Sequence, residues 1–259
     1  MNSELNFFNK SSLADGVYIL TPVKNDFEDL YIKVRSKEKR VYTDEELKLL
    51  PFASDSNAHK KEWELRAKSF LRFKQYLKTK NAQLNFLDLG CGNGWFCGQL
   101  LKFFNHNYYC FDINLTELKQ GKKVFGSDQI KFIYADVFAD SIPDKSFDLI
   151  TINAAVQYFQ ELKTLLNRLL NLLSKDGEIH IIDSPFYKNT EADNAKRRTF
   201  EYYSSIGFPK TANFYFHHSW NELTGFNYKL LYYPSTSLNK IKKIFGLHDS
   251  PFPWVVIKK

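Results

Sequence analysis

Residues 86–100 read FLDLGCGNGWFCGQL: a short apolar run, then glycine at every second position, then the start of a helical stretch. A buried parallel strand that feeds a glycine turn and a helix brings backbone N–H groups up to a ligand in an open α/β sheet. The turn needs positive φ, and a Cβ inside it would hold the ligand off. A tight turn with no ligand is the bland alternative. Three alternate glycines, Gly90, Gly92 and Gly94, weaken a turn that has nothing to accommodate.

The spacing narrows the choice of ligand. A dinucleotide fingerprint needs G-x-G-x-x-G after a strand. Here the third glycine comes one residue early, and Trp95 stands where that pattern has glycine. No G-K-[ST] follows, which excludes a P-loop. The form D-x-G-x-G-x-G, from Asp88 to Gly94, resembles the nucleotide-binding loop of the class I S-adenosylmethionine (SAM)-dependent methyltransferases.

Further strands continue the resemblance in order. Residues 107–112 read as a second strand ending in Asp112, and 130–136 as a third ending in Asp136. Residues 146–153 read as a fourth ending in Asn153. A leucine-rich helix over 165–173, a Lys175-Asp176-Gly177 turn and a fifth strand over 179–183 follow. A carboxylate at the end of the second strand of such a sheet reaches ribose hydroxyls. The resemblance implies that Asp88 holds the amino end of the methionine moiety, directly or by ordering the loop. It implies an adenine contact at Asp136 and a fourth strand whose end faces the transferred methyl. The implied cofactor is SAM, with S-adenosylhomocysteine (SAH) as product. Its site comprises Asp88, Gly90, Cys91, Gly92, Gly94, Asp112, Ile113, Asp136, Val137 and Asn153.

The expected fold is α/β: a Rossmann-like, doubly wound, seven-stranded, mostly parallel sheet with an antiparallel last strand, an N-terminal helical extension and a lid insertion. The chain reads as a single methyltransferase domain. Residues 1–80 form an extension or cap, 81–185 the SAM-binding core, 186–226 the lid insertion and 227–259 the closing strands. Residues 1–41 show no clear periodicity, although Val17 to Leu20 suit a short strand. Thr43 with Glu46 reads as a capping box for a helix ending before Pro51. Trp63, Phe70, Phe73 and Leu77 have helical spacing within 58–78. Helices are expected over 191–205 and 237–245, and strands over 228–233 and 254–257.

The end of the fourth strand, Asn153-Ala154-Ala155-Val156, carries neither the paired prolines of nucleobase-amino methyltransferases nor the Pro-Cys of RNA cytosine-C5 enzymes. Asp183-Ser184-Pro185-Phe186 superficially resembles the first pattern but follows the wrong strand. The expected acceptor is therefore a small molecule, methylated at O, N or C. RNA or protein methylation and non-catalytic SAM binding are the alternatives. Tyr158 and His217 are candidate catalytic residues, with core packing and a structural histidine as their bland readings. Arg66, Tyr187, Tyr203 and His217 are acceptor-side candidates. The net charge of +7 is spread over short basic clusters that suit solvated faces better than a nucleic-acid stripe. No run of about 18 apolar residues suggests a membrane span. Cys91, Cys97 and Cys110 lack metal or disulfide spacing and read as reduced cysteines of a cytoplasmic protein. No metal is expected.

Overall fold

The computed structural model describes residues 5, 7–8, 11–23, 25–236 and 248–259. The chain enters through a hairpin, β1 (Ser12–Ala14) and β2 (Val17–Ile19). Its loop is Asp15-Gly16, with φ of 51° and 80°. Two positive φ values are what a type I′ turn demands, and Asp-Gly supplies them. Three helices follow: α1 (Asn25–Lys37), α2 (Asp44–Leu49) and α3 (Lys60–Leu77). The Thr43–Glu46 capping box starts α2 as expected. Next come β3 (Asn85–Leu89), α4 (Trp95–Leu100), β4 (Asn107–Asp112), α5 (Leu115–Phe125) and β5 (Ile130–Tyr134). The chain continues with β6 (Phe147–Asn153), α6 (Leu162–Leu172), β7 (Leu173–Ile182), α7 (Asn189–Ser205), β8 (Asn227–Tyr232) and β9 (Trp254–Lys258).

These strands form one sheet in the order β1-β2-β5-β4-β3-β6-β7-β9-β8. Neighbours from β2 to β7 pair parallel, and β9 pairs antiparallel with both β7 and β8. The doubly wound core and its closing antiparallel strands match the expectation. The strand number does not: the sheet has nine strands among the described residues, not seven. The difference is the hairpin, whose β2 adds to the free edge of β5 through Tyr18↔Ile133 and Ile19↔Tyr134. The expected Lys175-Asp176-Gly177 turn is absorbed into β7. There β6 pairs at Phe147↔Leu173 and resumes at Leu149↔Glu178, so the residues between loop out as an irregularity. The helix expected over 237–245 lies outside the described residues.

Strand side chains alternate between two apolar layers, as a period of two requires. Leu87, Leu89, Tyr109 and Phe111 face the leucines of α6. Phe86, Tyr108 and Cys110 face Trp63, Phe70 and Phe73 of α3 and Phe96 of α4. Both helical layers are thus tied to the sheet, and the carboxyl ends of the parallel strands share one rim. No described helix is long and apolar enough to cross a membrane.

Candidate functional site

A cavity of about 700 Å³ opens along that rim. Crevices outside the carboxyl ends of parallel strands are where open α/β sheets bind ligands. β3 contributes Leu89 and then Gly90, Cys91 and Gly92; β4 contributes Asp112 and then Ile113 and Asn114. The end of β5 brings Asp136 and Val137, and the end of β6 brings Asn153, Ala154 and Ala155. Tyr158 lies just beyond.

The glycine loop is wired to β4. Gly90 and Cys91 donate N–H groups to the Phe111 carbonyl, at 2.8 and 3.2 Å. Gly92 donates its N–H to Asp112 Oδ2 at 2.7 Å. Asp112 Oδ1 accepts from the N–H groups of Ile113 and Asn114, at 2.8 and 2.9 Å. Burial pushes the Asp112 carboxyl up to about 6, while these three N–H donors pull the other way. Gly90 has φ of 71°, and a Cβ there would lie 2.5 Å from Ala155 Cβ. Glycine is thus required at Gly90 by protein packing as well as by the turn.

Two features of the rim stand out at the end of β6. Asn153 Oδ1 is buried beside the cavity without a hydrogen-bond partner among the described residues. Ala154, next to it, holds φ of 52°, a left-handed conformation that a residue with a Cβ adopts at a cost. Strain of this kind clusters at functional sites.

Of the residues expected at the cofactor, eight line the cavity: Gly90, Cys91, Gly92, Asp112, Ile113, Asp136, Val137 and Asn153. Asp88 and Gly94 do not. Asp88 is buried beneath the loop, accepting the Thr151 hydroxyl at 2.6 Å. Burial raises its carboxyl well above the usual range. It stands beneath the loop rather than in the cavity lining. Gly94 precedes α4 at φ of 70°, where a Cβ would lie 2.5 Å from the Phe132 ring.

The acceptor-side candidates fall in different places. Arg66 lines the cavity, whereas Tyr187, Tyr203 and His217 do not. Tyr203 is buried against Tyr202 and Tyr215. His217 Nε2 pairs with the Thr199 hydroxyl at 2.9 Å, and its ring lies between Tyr187 and Tyr215. These three pack the insertion onto itself. Of the segment 186–226, Phe214 alone reaches the cavity lining. Of the two catalytic candidates, Tyr158 faces the cavity and His217 does not. The Tyr158 ring packs edge-on against Tyr31 at 6.0 Å and Tyr215 at 6.1 Å.

The cover comes instead from α1 and from the chain on either side of it. Thr21 and Pro22, Tyr31 and Arg35, and Arg40 and Tyr42 all line the cavity. Trp63 and Arg66 of α3 complete this wall. Sequence reasoning missed α1, whose buried face mixes the apolar Val34 with polar groups. Its Glu28 is buried and accepts from the Thr116 N–H and hydroxyl, at 2.8 and 2.7 Å. Arg35 Nε donates to the Tyr31 hydroxyl at 3.0 Å. The i, i+4 spacing of Tyr31 and Arg35 was the available signal. Glu117, on the first turn of α5, was also missed; burial pushes its carboxyl up to about 7, with Arg35 opposing.

Residues 87–181 match the family model described as a methyltransferase domain. Over 96 residues the chain is 27% identical to an uncharacterized methyltransferase of Mycobacterium tuberculosis, covering 37% of this chain and 48% of that protein. Over 106 residues it is 36% identical to malonyl-acyl-carrier-protein O-methyltransferase 1 of Ilyobacter polytropus, covering 40% of this chain and 39% of that one. The chain thus spans about half the length, or less, of the curated relatives it matches. Among solved structures, the YcgJ protein of Bacillus subtilis aligns with a TM-score of 0.53 at 14% identity, over 73% of this chain and 98% of that one. That likeness is one of fold.

Proposed function

We propose that the chain transfers a methyl group from SAM to a small-molecule acceptor, reading residues 87–181, which match the methyltransferase-domain model, as the core of a class I SAM-dependent enzyme. The observation that carries this reading is the Gly90–Gly92 loop, fastened to Asp112 at the rim of a cavity of about 700 Å³. That volume lies within the range of about 300–1,000 Å³ usual for small-ligand sites. The unpaired Asn153 Oδ1 and the carboxylates of Asp112 and Asp136 suit a nucleoside with hydroxyl and amino donors.

When bound, SAM supplies a methyl on a sulfonium, a reactive carbon with a neutral leaving group. The protein's own part is to orient. Asp112 fixes the loop and presents its remaining lone pair to the cavity. The cover formed by α1 and α3 keeps water from the rim, and Tyr158 stands where an acceptor would be held. Alignment of this kind contributes up to about 7–11 kcal/mol in ideal cases. Residues 1–80 serve in this reading as the cap. The insertion 186–226 supports the cap from behind: Tyr202 of α7 donates its hydroxyl to Glu38 at 2.7 Å.

Thermal unfolding with added nucleotides tests the proposal. At about 100 times its dissociation constant, a ligand adds roughly 2.7 kcal/mol of stability. For a chain of this size that raises Tm by about 5–10 °C. SAH and SAM are expected to give that shift and NAD none. A shift with NAD alone would overturn the assignment.

A further inference from the structure

Three guanidinium groups stand on the covering wall of the cavity: Arg35, Arg40 and Arg66. The carboxylates that line the cavity, Asp112, Asp136 and Glu117, stand on the sheet side. Two more carboxylates stand with the arginines. Glu62 accepts Arg40 Nη1 at 3.0 Å and Nη2 at 2.6 Å, and its Oε1 also accepts Arg66 Nε at 3.1 Å. Glu38 Oε2 lies 3.5 Å from Arg40 Nε and 3.7 Å from Arg35 Nη1. These two carboxylates are shared by the three guanidiniums, and Arg66 also bears on the buried Asp183 carboxyl, favouring its ionised form against the burial that opposes it.

Of the three, Arg66 is the one with donors to spare. Its Nε meets an oxygen already shared with Arg40, and its terminal nitrogens engage no protein acceptor among the described residues. The guanidinium is held over the Trp63 ring at 5.1 Å. A guanidinium so placed offers a planar pair of donors suited to a carboxylate. It also lies in the same cavity as the sulfonium of the proposed methyl donor, and two cations in one cavity are best accommodated with an anion between them.

We propose that the acceptor is a small organic acid whose carboxylate is held by the terminal nitrogens of Arg66, with Trp63, Tyr42 and Tyr31 forming the apolar surface around it. This rests on the SAM reading above and names the substrate class of the same site. The carboxylate acts as an anchor that fixes the acceptor's orientation.

The test uses the full chain saturated with SAH. Benzoate, phenylacetate and malonate are titrated against benzamide, phenylacetamide and malonamide, and binding is followed by calorimetry. The acids are expected to bind at least about tenfold more tightly than their amides, as a charge-assisted pair predicts. Arg66→Gln should remove that preference, and Arg66→Lys should restore part of it. SAH affinity in Arg66→Gln should stay within about twofold of the native value, since the proposed nucleoside contacts lie on the sheet side. Equal binding of acids and amides, or no binding of either, overturns the proposal. So does an acid preference that survives Arg66→Gln. Loss of SAH affinity in Arg66→Gln overturns it too, because the cofactor's own carboxylate would then occupy Arg66. If the native chain fails to bind SAH at all, the SAM reading falls with it; SAH binding without acid preference removes this inference alone.

Discussion

At the residue scale, Asp112 does two jobs with one carboxylate. It accepts the N–H of Gly92 and those of Ile113 and Asn114, so it sets the loop's shape while facing the cavity. Asp112→Ala should therefore weaken SAH binding by about 10- to 100-fold, the equivalent of a charged hydrogen bond of roughly 1.5–3 kcal/mol. Some stability should be lost as well, because three N–H groups lose their acceptor; calorimetry and a urea melt separate the effects. Affinity should also depend on pH. Burial raises Asp112 to about 6 and Glu117 to about 7, so the unliganded protein holds protons there that a ligand's hydroxyl donors would displace. SAH affinity is expected to rise as pH increases from about 5 to about 8 and level off above, with proton release visible in buffers of differing ionisation enthalpy. Flat affinity across that range would show that neither carboxylate meets the ligand. Gly92→Val should bind worse than Asp112→Ala: φ is 54° there, and a Cβ would sit 3.0 Å from Glu117 Oε2. The glycines, Asp112 and Asp136 were legible in sequence because a strand end fixes where a residue points. Tyr187, Tyr203 and His217 misled because aromatic composition does not say which neighbour a ring packs against.

At the scale of elements, a buried carboxylate joins three of them. Glu178 of β7 accepts the Tyr76 hydroxyl from α3 at 2.5 Å, Lys80 at 2.8 Å and Lys258 of β9 at 2.6 Å. His180 Nε2 lies 3.3 Å away, and the Trp254 indole donates to His180 Nδ1 at 3.1 Å. Glu178 is only 3% exposed. Breaking such a group by removing one partner costs about 3–5 kcal/mol, so Glu178→Ala should lose that much at neutral pH. Although burial opposes ionisation, the His180, Lys258, Lys80 and Tyr76 contacts hold the carboxyl well below the usual range. A depressed carboxylate contributes stability that is present above the unfolded value of 4.5 and lost as pH falls toward the folded one. Urea melts of Glu178→Gln and the native chain should therefore differ most at pH 7 and converge as the medium becomes strongly acid. An equal gap at both ends would assign the loss to packing instead. The helix α1 is fastened by fewer contacts, chiefly Glu28 on the first turn of α5. Glu28→Ala is expected to leave the sheet folded, weaken SAH binding and expose residues 25–37 to proteolysis. Strands β3 to β7 were legible because each is an apolar run closed by an acid, an amide or a turn. α1 was harder to read, because its apolar period is short, Leu30, Tyr31 and Val34, and ion pairs and hydrogen bonds make up much of the rest of its contacts.

At the scale of the whole molecule, the positive balance raises the question of nucleic acid. Several basic residues are already paired: Arg40 with Glu62, Arg72 with Asp249, Arg168 with Asp144, and Lys80 and Lys258 with Glu178. RNA and DNA should bind no more tightly than non-specific complexes, about 10⁻⁴–10⁻⁶ M at physiological salt, and fall away as salt rises. Fluorescence anisotropy at two salt concentrations checks this; nanomolar RNA binding at physiological salt would return the small-molecule acceptor to doubt. The nine-stranded sheet has one more consequence, which concerns the order in which the chain is made. β2 is synthesised early, yet its parallel partner is β5, through Tyr18↔Ile133 and Ile19↔Tyr134. At about 5–20 residues per second, a ribosome takes roughly 6–23 s to cover the distance between them. During that time the hairpin and α1 have no sheet edge to join. The β2 hairpin beside the covering wall is thus made well before the strand it joins, and can be seated only after the third core strand emerges.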